Sequence, residues 1–180
     1  MRYKDVAKIL LKEEDIIRRT NELAEKITTD YQGEKLLIVC ILRGASLFFA
    51  DLVRKIDLDV NFDFMAVSSY GAGVSSSGEV RIIKDIAEPI EGKNVILVED
   101  IIDSGNTLSY LIRLLKQRKP KSIKVASLLD KPDRREVDIQ GDYVGFEIPN
   151  EFVVGYGLDY NEKYRNIPEV CVLKSEIYEG

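Results

Sequence analysis

Three carboxylates, Glu99, Asp100 and Asp103, are followed directly by Ser104-Gly105-Asn106-Thr107. The residues before them, Val95-Ile96-Leu97-Val98, form an aliphatic run. Such a run reads as a buried parallel strand. Acids at its carboxyl end, then a small polar turn opening a helical pattern, make a site for sugar hydroxyls and a phosphate. Free backbone N–H groups and the helix dipole favour the anion there. Acids beside a phosphate would repel it unless they hold hydroxyls or a cation. The pattern therefore points to a phosphorylated sugar together with a metal.

What else can do chemistry is bounded by composition. The chain has no histidine, which removes Ser-His-Asp and Cys-His catalysis and the usual His-containing zinc sites. Acid–base work falls to Asp, Glu, Lys or Tyr. A net charge of -5 argues against a nucleic-acid partner, although net charge does not exclude a local basic patch. No run of 18 apolar residues offers a membrane span, and Met-Arg-Tyr-Lys-Asp at the start lacks the apolar core of a signal peptide. The expected location is cytoplasmic, with no membrane partner. Cys40 and Cys171 lie in apolar runs. One disulfide would be possible, but buried free thiols are the expectation for a cytosolic chain.

The elements that must position these groups follow from periodicity. Glu13 to Tyr31 reads as an amphipathic helix ending near Gly33. Leu36–Leu42 is a buried strand, and Arg43-Gly44-Ala45 turns into a helix with Leu47, Phe48, Leu52 and Val53 inward. Val60 to Val67 is a second strand, followed by the small-residue segment Ser68 to Gly78 and strand-like Val80 to Ile83. Val95–Glu99, the helix Thr107 to Arg118 and the strand Ile123 to Leu129 come next, with short strands near Tyr143–Phe146, Phe152–Val154 and Val170–Leu173. Strand, helix, strand in this order means right-handed crossovers and a mainly parallel twisted sheet flanked by helices, an α/β fold over residues 1–180 as one domain. Ligands in such sheets sit beyond the strand carboxyl ends. Arg43-Gly44, the segment after Val67, the acids at 99 to 103, and Asp130-Lys131 are thereby expected at one rim.

Val98-Glu99-Asp100-Ile101-Ile102-Asp103-Ser104-Gly105-Asn106-Thr107 resembles the phosphoribosyl-pyrophosphate motif of the type I phosphoribosyltransferases. Four further segments resemble the hypoxanthine (guanine) branch of that family, in the family's order and over nearly the whole chain. They are Leu42-Arg43-Gly44-Ala45, Ser68-Ser69-Tyr70-Gly71, Leu129-Asp130-Lys131-Pro132, and Phe152 through Asp159-Tyr160 to Arg165. The resemblance implies the type I phosphoribosyltransferase fold with a small accessory hood. It also implies Mg²⁺-dependent transfer of phosphoribose from phosphoribosyl pyrophosphate to N9 of a 6-oxopurine.

Residue by residue, the resemblance implies the following roles. Ser104, Gly105, Asn106 and Thr107 hold the 5′-phosphate. Glu99 and Asp100 bind the ribose hydroxyls and approach magnesium, and Asp159 holds magnesium on the pyrophosphate side. Asp103 accepts the purine ring proton. Lys131 donates to the 6-oxo group, Phe152 stacks on the base, and the Val153 backbone meets its edge. Arg43-Gly44 and Arg165 receive pyrophosphate, with a cis peptide between Leu42 and Arg43. Many relatives have Lys at the Arg43 position, so a side-chain role there is not implied. Ser69 and Tyr70 belong to a mobile loop. Relatives form homodimers or homotetramers. A second class stays open, a sensor of phosphoribosyl pyrophosphate that binds RNA or DNA. It would call for a basic face or an added DNA-binding domain.

Overall fold

The computed structural model describes residues 3–69 and 80–178. Its larger sheet is built from β2 (Leu36–Leu42), β3 (Val60–Ser69), β4 (Val80–Lys84), β5 (Asn94–Ile102), β6 (Ser122–Asp130) and β7 (Tyr143–Glu147), in the order β4-β3-β2-β5-β6-β7. Every neighbouring pair runs parallel except β3 and β4. A smaller antiparallel sheet joins β1 (Val6–Leu11), β9 (Val170–Leu173) and β8 (Val153–Val154) in that order. This second sheet is the expected hood. Its first strand was not anticipated, because Val6–Leu11 is largely exposed and its partner β9 lies at the far end of the chain.

The sheet's continuous apolar strands exist because both faces are covered. In β2, Ile38 and Cys40 pack against the helices α1 (Glu13–Asp30) and α2 (Ser46–Val53), while Leu37, Val39 and Ile41 pack on the opposite face with α3 (Asn106–Lys116). α1 contributes the stripe Ile16, Leu23, Ala24 and Ile27, spaced for one helical face. α3 contributes Leu108, Leu111 and Leu115. Each such leucine stabilises the fold by roughly 1.5–3 kcal/mol of apolar burial. In α2 the expected pattern needs correction. Phe49 is buried and Leu47 points out, 39% exposed, because the helix begins at Ser46 and turns Phe48, Phe49 and Leu52 to the core. Phe62 of β3 is likewise exposed, its ring meeting Phe49 and Phe64 edge-on. Cys40 and Cys171 are buried and unpaired. Burial, with the charges of Glu99 and Asp100 beyond it, pushes the Cys40 thiol up to about 12. No helix among the described residues is long and apolar enough to cross a membrane.

Candidate active site

The strand β5 runs past Glu99 to Ile102, so the two acids lie within its last turn of chain rather than after it. Alternation breaks there. Val98 packs on the α1 and α2 face, yet Ile102, four residues on, packs on the α3 face. The Ile101 N–H donates to Asp100 Oδ1 at 2.7 Å within this break. The two acids consequently serve different neighbours. Glu99 lines a cavity of about 230 Å³ with Ile41, Val67, Asp103, Ser104 and Thr107. Asp100 lies against Gly44, where an added Cβ would overlap its carboxylate.

Both carboxyls are costly to ionise where they stand. Burial lifts Glu99 well above the usual carboxylate range, and the charge of Asp100 adds to it. Asp100 is pushed up to about 6, again chiefly by burial, with hydrogen bonds and Arg165 opposing and Asp159 reinforcing the shift. Partly buried acids with so little compensation suit a cation. Among the described residues no cluster of three acids or cysteines could hold a metal alone. Mg²⁺ does not need one, since it takes one or two carboxylates and completes its shell with substrate oxygens and water. The donor set therefore fits magnesium brought with a phosphorylated substrate.

The Ser104–Thr107 turn opens α3. Gly105 is left-handed (φ 83°) and offers no side-chain cap, and the Asn106 N–H donates to Ser104 Oγ at 3.3 Å. A side chain at 105 would also strike Ile139 and crowd Val137 and Arg135, so the 135–139 segment seals this turn from outside. Asn106 Nδ2 donates to Glu136 at 2.5 Å, and the Glu136 N–H donates to the Ser104 carbonyl at 3.0 Å. The helix start thus presents N–H groups from a braced turn, as an anion site requires.

A second cavity, about 500 Å³, is lined by Asp103, Lys131, Arg134, Glu151, Phe152 and Tyr178 among others. Asp103 borders both cavities. Lys131 is buried, 7% exposed, contrary to the ordinary habit of a lysine before proline. Burial lowers its pKa below the usual lysine value, and the Asp103 charge offsets part of that. Phe152 precedes β8 instead of opening it and is 36% exposed; one of its faces is already covered by the Tyr178 ring, 4.8 Å away at 21°. Val153 is buried and pairs with Val172 across the hood.

On the remaining side, the Leu42–Arg43 peptide is cis, as the resemblance implied. The Gly44 carbonyl abuts Gly157, where again no Cβ fits. Arg43 pairs through its side chain with Glu162. Arg165 reaches Asp159 at 2.8 Å, Glu162 at 3.6 Å and the Gly157 carbonyl at 2.7 Å. The Glu162 N–H donates to Asp159 Oδ2 at 2.9 Å. Tyr156, Asn161, Glu162 and Tyr164 all hold positive φ, a conformation uncommon outside glycine. Arg43, Gly44, Asp100, Asp159 and Arg165 are thus gathered into one cluster. Ser69 ends β3, whereas Tyr70 and the rest of the expected loop lie outside the described residues. Sequence reading missed Arg134, Arg135, Glu162 and Tyr178. Only the arginines carried a signal, two adjacent cations three residues past Lys131.

Comparison with known proteins places this geometry among relatives. The family model described as a phosphoribosyl transferase domain matches residues 6–161. A hypoxanthine-guanine phosphoribosyltransferase of Streptococcus thermophilus is 56% identical over 178 residues, 99% of this chain and 99% of that protein. The crystal structure of a hypoxanthine phosphoribosyltransferase from Staphylococcus aureus superposes with a TM-score of 0.95 at 49% identity, covering 99% of this chain and 97% of that one. A hypoxanthine-guanine phosphoribosyltransferase from Bacillus anthracis gives a TM-score of 0.90 at 47% identity, over 94% and 99% of the two chains.

Proposed function

The chain belongs to the phosphoribosyltransferase family, and from that premise we propose that it is a purine-salvage enzyme. It transfers phosphoribose from phosphoribosyl pyrophosphate to a 6-oxopurine, hypoxanthine or guanine, as one domain over residues 1–180. The observation that carries this reading is the position of Asp103 between two cavities. One is lined by the phosphate turn, the other by a buried lysine and an aromatic ring.

The chemistry follows from the groups present. The purine N9 forms a bond to ribose C1 while the C1–oxygen bond to pyrophosphate breaks, and the leaving oxygen takes the electron pair. Positive charge builds on the ribose, as in glycoside transfer. The Ser104–Thr107 turn anchors the 5′-phosphate and so fixes C1 in place. The Arg43-Gly44 backbone and the Arg165 side chain receive the pyrophosphate, a guanidinium fork being suited to phosphate oxygens. The Asp103 carboxylate accepts the proton that the purine ring loses. Glu99 and Asp100, at the ribose hydroxyls, and Asp159, on the pyrophosphate side, would hold Mg²⁺, which would supply positive charge beside the leaving pyrophosphate when bound. Treatment with EDTA is therefore expected to abolish turnover, and added Mg²⁺ to restore it. Persistent turnover in EDTA would remove the metal from the account.

Selection of the base rests on Lys131. A lysine has donors and no acceptor, so it favours a 6-oxo group over the 6-amino group of adenine. Phe152 offers an aromatic surface and the Val153 backbone an edge. Lys131→Ala is expected to lower kcat/KM for hypoxanthine by roughly 10- to 100-fold, the range of one lost charged hydrogen bond, with phosphoribosyl-pyrophosphate binding little changed. Equal loss for both substrates in steady-state kinetics would make Lys131 structural. Exposed Phe62 and Leu47 support assembly into a homodimer or homotetramer that covers them.

A further inference from the structure

Asp103 is gripped by two consecutive arginines. The Lys131 N–H donates to the Ile102 carbonyl at 2.9 Å, which seats the 3-10 turn Pro132–Arg134 against the end of β5. The Arg134 N–H turns back to the Lys131 carbonyl at 3.0 Å. From this tethered turn Arg134 Nε donates to Asp103 Oδ1 at 3.0 Å. Arg135 takes the main chain. Its Nη1 donates to the Asp103 carbonyl at 2.6 Å, its Nε to the Ile139 carbonyl at 2.8 Å, and its Nη2 pairs with Asp130. A half-exposed arginine thereby sets the carboxylate while a nearly buried one sets the backbone beneath it.

The Arg134 contact is one-sided. It engages Oδ1 only, and Oδ2 receives no hydrogen bond among the described residues. Arg134 also borders the larger cavity with Lys131 and Phe152. An ion pair this exposed contributes little to stability. What it does contribute is direction. A carboxylate held by one oxygen has less freedom to rotate, and its second oxygen is left free of hydrogen bonds among the described residues, on a residue that lines the cavity.

We propose that Arg134 is a positioning residue for proton acceptance, holding Asp103 by Oδ1 so that Oδ2 meets the purine ring proton. The inference rests on reading Asp103 as the proton acceptor. The experiment is steady-state kinetics with hypoxanthine on the wild-type enzyme, Arg134→Gln, Arg134→Lys, Asp103→Asn, and the Arg134→Gln/Asp103→Asn double variant. Arg134→Gln is expected to lower kcat about 10- to 100-fold with unchanged melting temperature and unchanged KM for phosphoribosyl pyrophosphate. Arg134→Lys should recover much of that loss. In the Asp103→Asn background, Arg134→Gln should have no further effect on kcat, since the group it orients is gone.

An equal loss in both backgrounds would overturn the proposal, because Arg134 would then act on the substrate itself. Full activity of Arg134→Gln would overturn it too, as would a lowered melting temperature with parallel loss in every kinetic constant. A fully active Asp103→Asn single variant would instead overturn the acceptor reading beneath it, and that variant is measured separately.

Discussion

Asp103→Ala is expected to lower turnover by roughly 10²–10⁴-fold, the range of a lost general base, while binding of phosphoribosyl pyrophosphate stays within about a few-fold. The separation of the two effects follows from where each group is held. The phosphate turn is braced from outside by the Glu136 N–H on the Ser104 carbonyl and by the 135–139 segment packed over Gly105. The Arg135 guanidinium holds the Asp103 carbonyl, which alanine keeps. Removing the side chain therefore takes away the carboxylate between the two cavities and leaves the sugar-phosphate site standing. The partner lost, Arg134, is half-exposed and simply rehydrates. Kinetics with a direct binding measurement check this, and undiminished turnover would take the proton-accepting role from Asp103.

Gly44→Ala should be nearly as damaging by an unrelated route. A Cβ at 44 would overlap the Asp100 carboxylate, and the loop cannot retreat because its carbonyl is already against Gly157. Either Asp100 is displaced or the loop is pushed out of line with Arg165 and Asp159. Overpacking of this kind costs about 1–3 kcal/mol of stability. The functional cost is larger, since displacement by about 1 Å in a site of this kind can lose 10²-fold in rate. We expect kcat/KM for phosphoribosyl pyrophosphate to fall on that scale, with a modest drop in melting temperature. Near wild-type kinetics would mean that Asp100 swings aside freely and that its fixed place against Gly44 has no consequence.

How far these residues could be read in advance depended on whether their partners were local. The phosphate turn was legible because strand, acids, small polar turn and helix follow one another within Val95–Leu108, and local sequence determines each step. Lys131 and Phe152 drew their meaning from the resemblance alone, since a lysine before proline and a lone phenylalanine carry no chemistry by themselves. The pairing of Arg43 with Glu162 joins residues 119 apart in the chain, and no spacing rule reaches that far. The same holds for β1, whose largely exposed residues pair with β9 at the far end of the chain. The outward turn of Leu47 has a different cause. In so short and apolar a helix, both Leu47 and Phe49 fit an inward stripe, and packing decided between them. The break in alternation at Glu99–Ile101 was invisible for a related reason. A run of aliphatic residues buried on both faces gives no clue to where its pleat slips.

Joining phosphoribose to a 6-oxopurine is the chemistry on which every role above depends. The most direct test is an ultraviolet assay with phosphoribosyl pyrophosphate and Mg²⁺ against hypoxanthine, guanine, xanthine and adenine in parallel. Turnover of hypoxanthine or guanine is expected, with release of pyrophosphate, and none of adenine. Tight binding of phosphoribosyl pyrophosphate without turnover of any purine would contradict it and point to a sensor of that sugar.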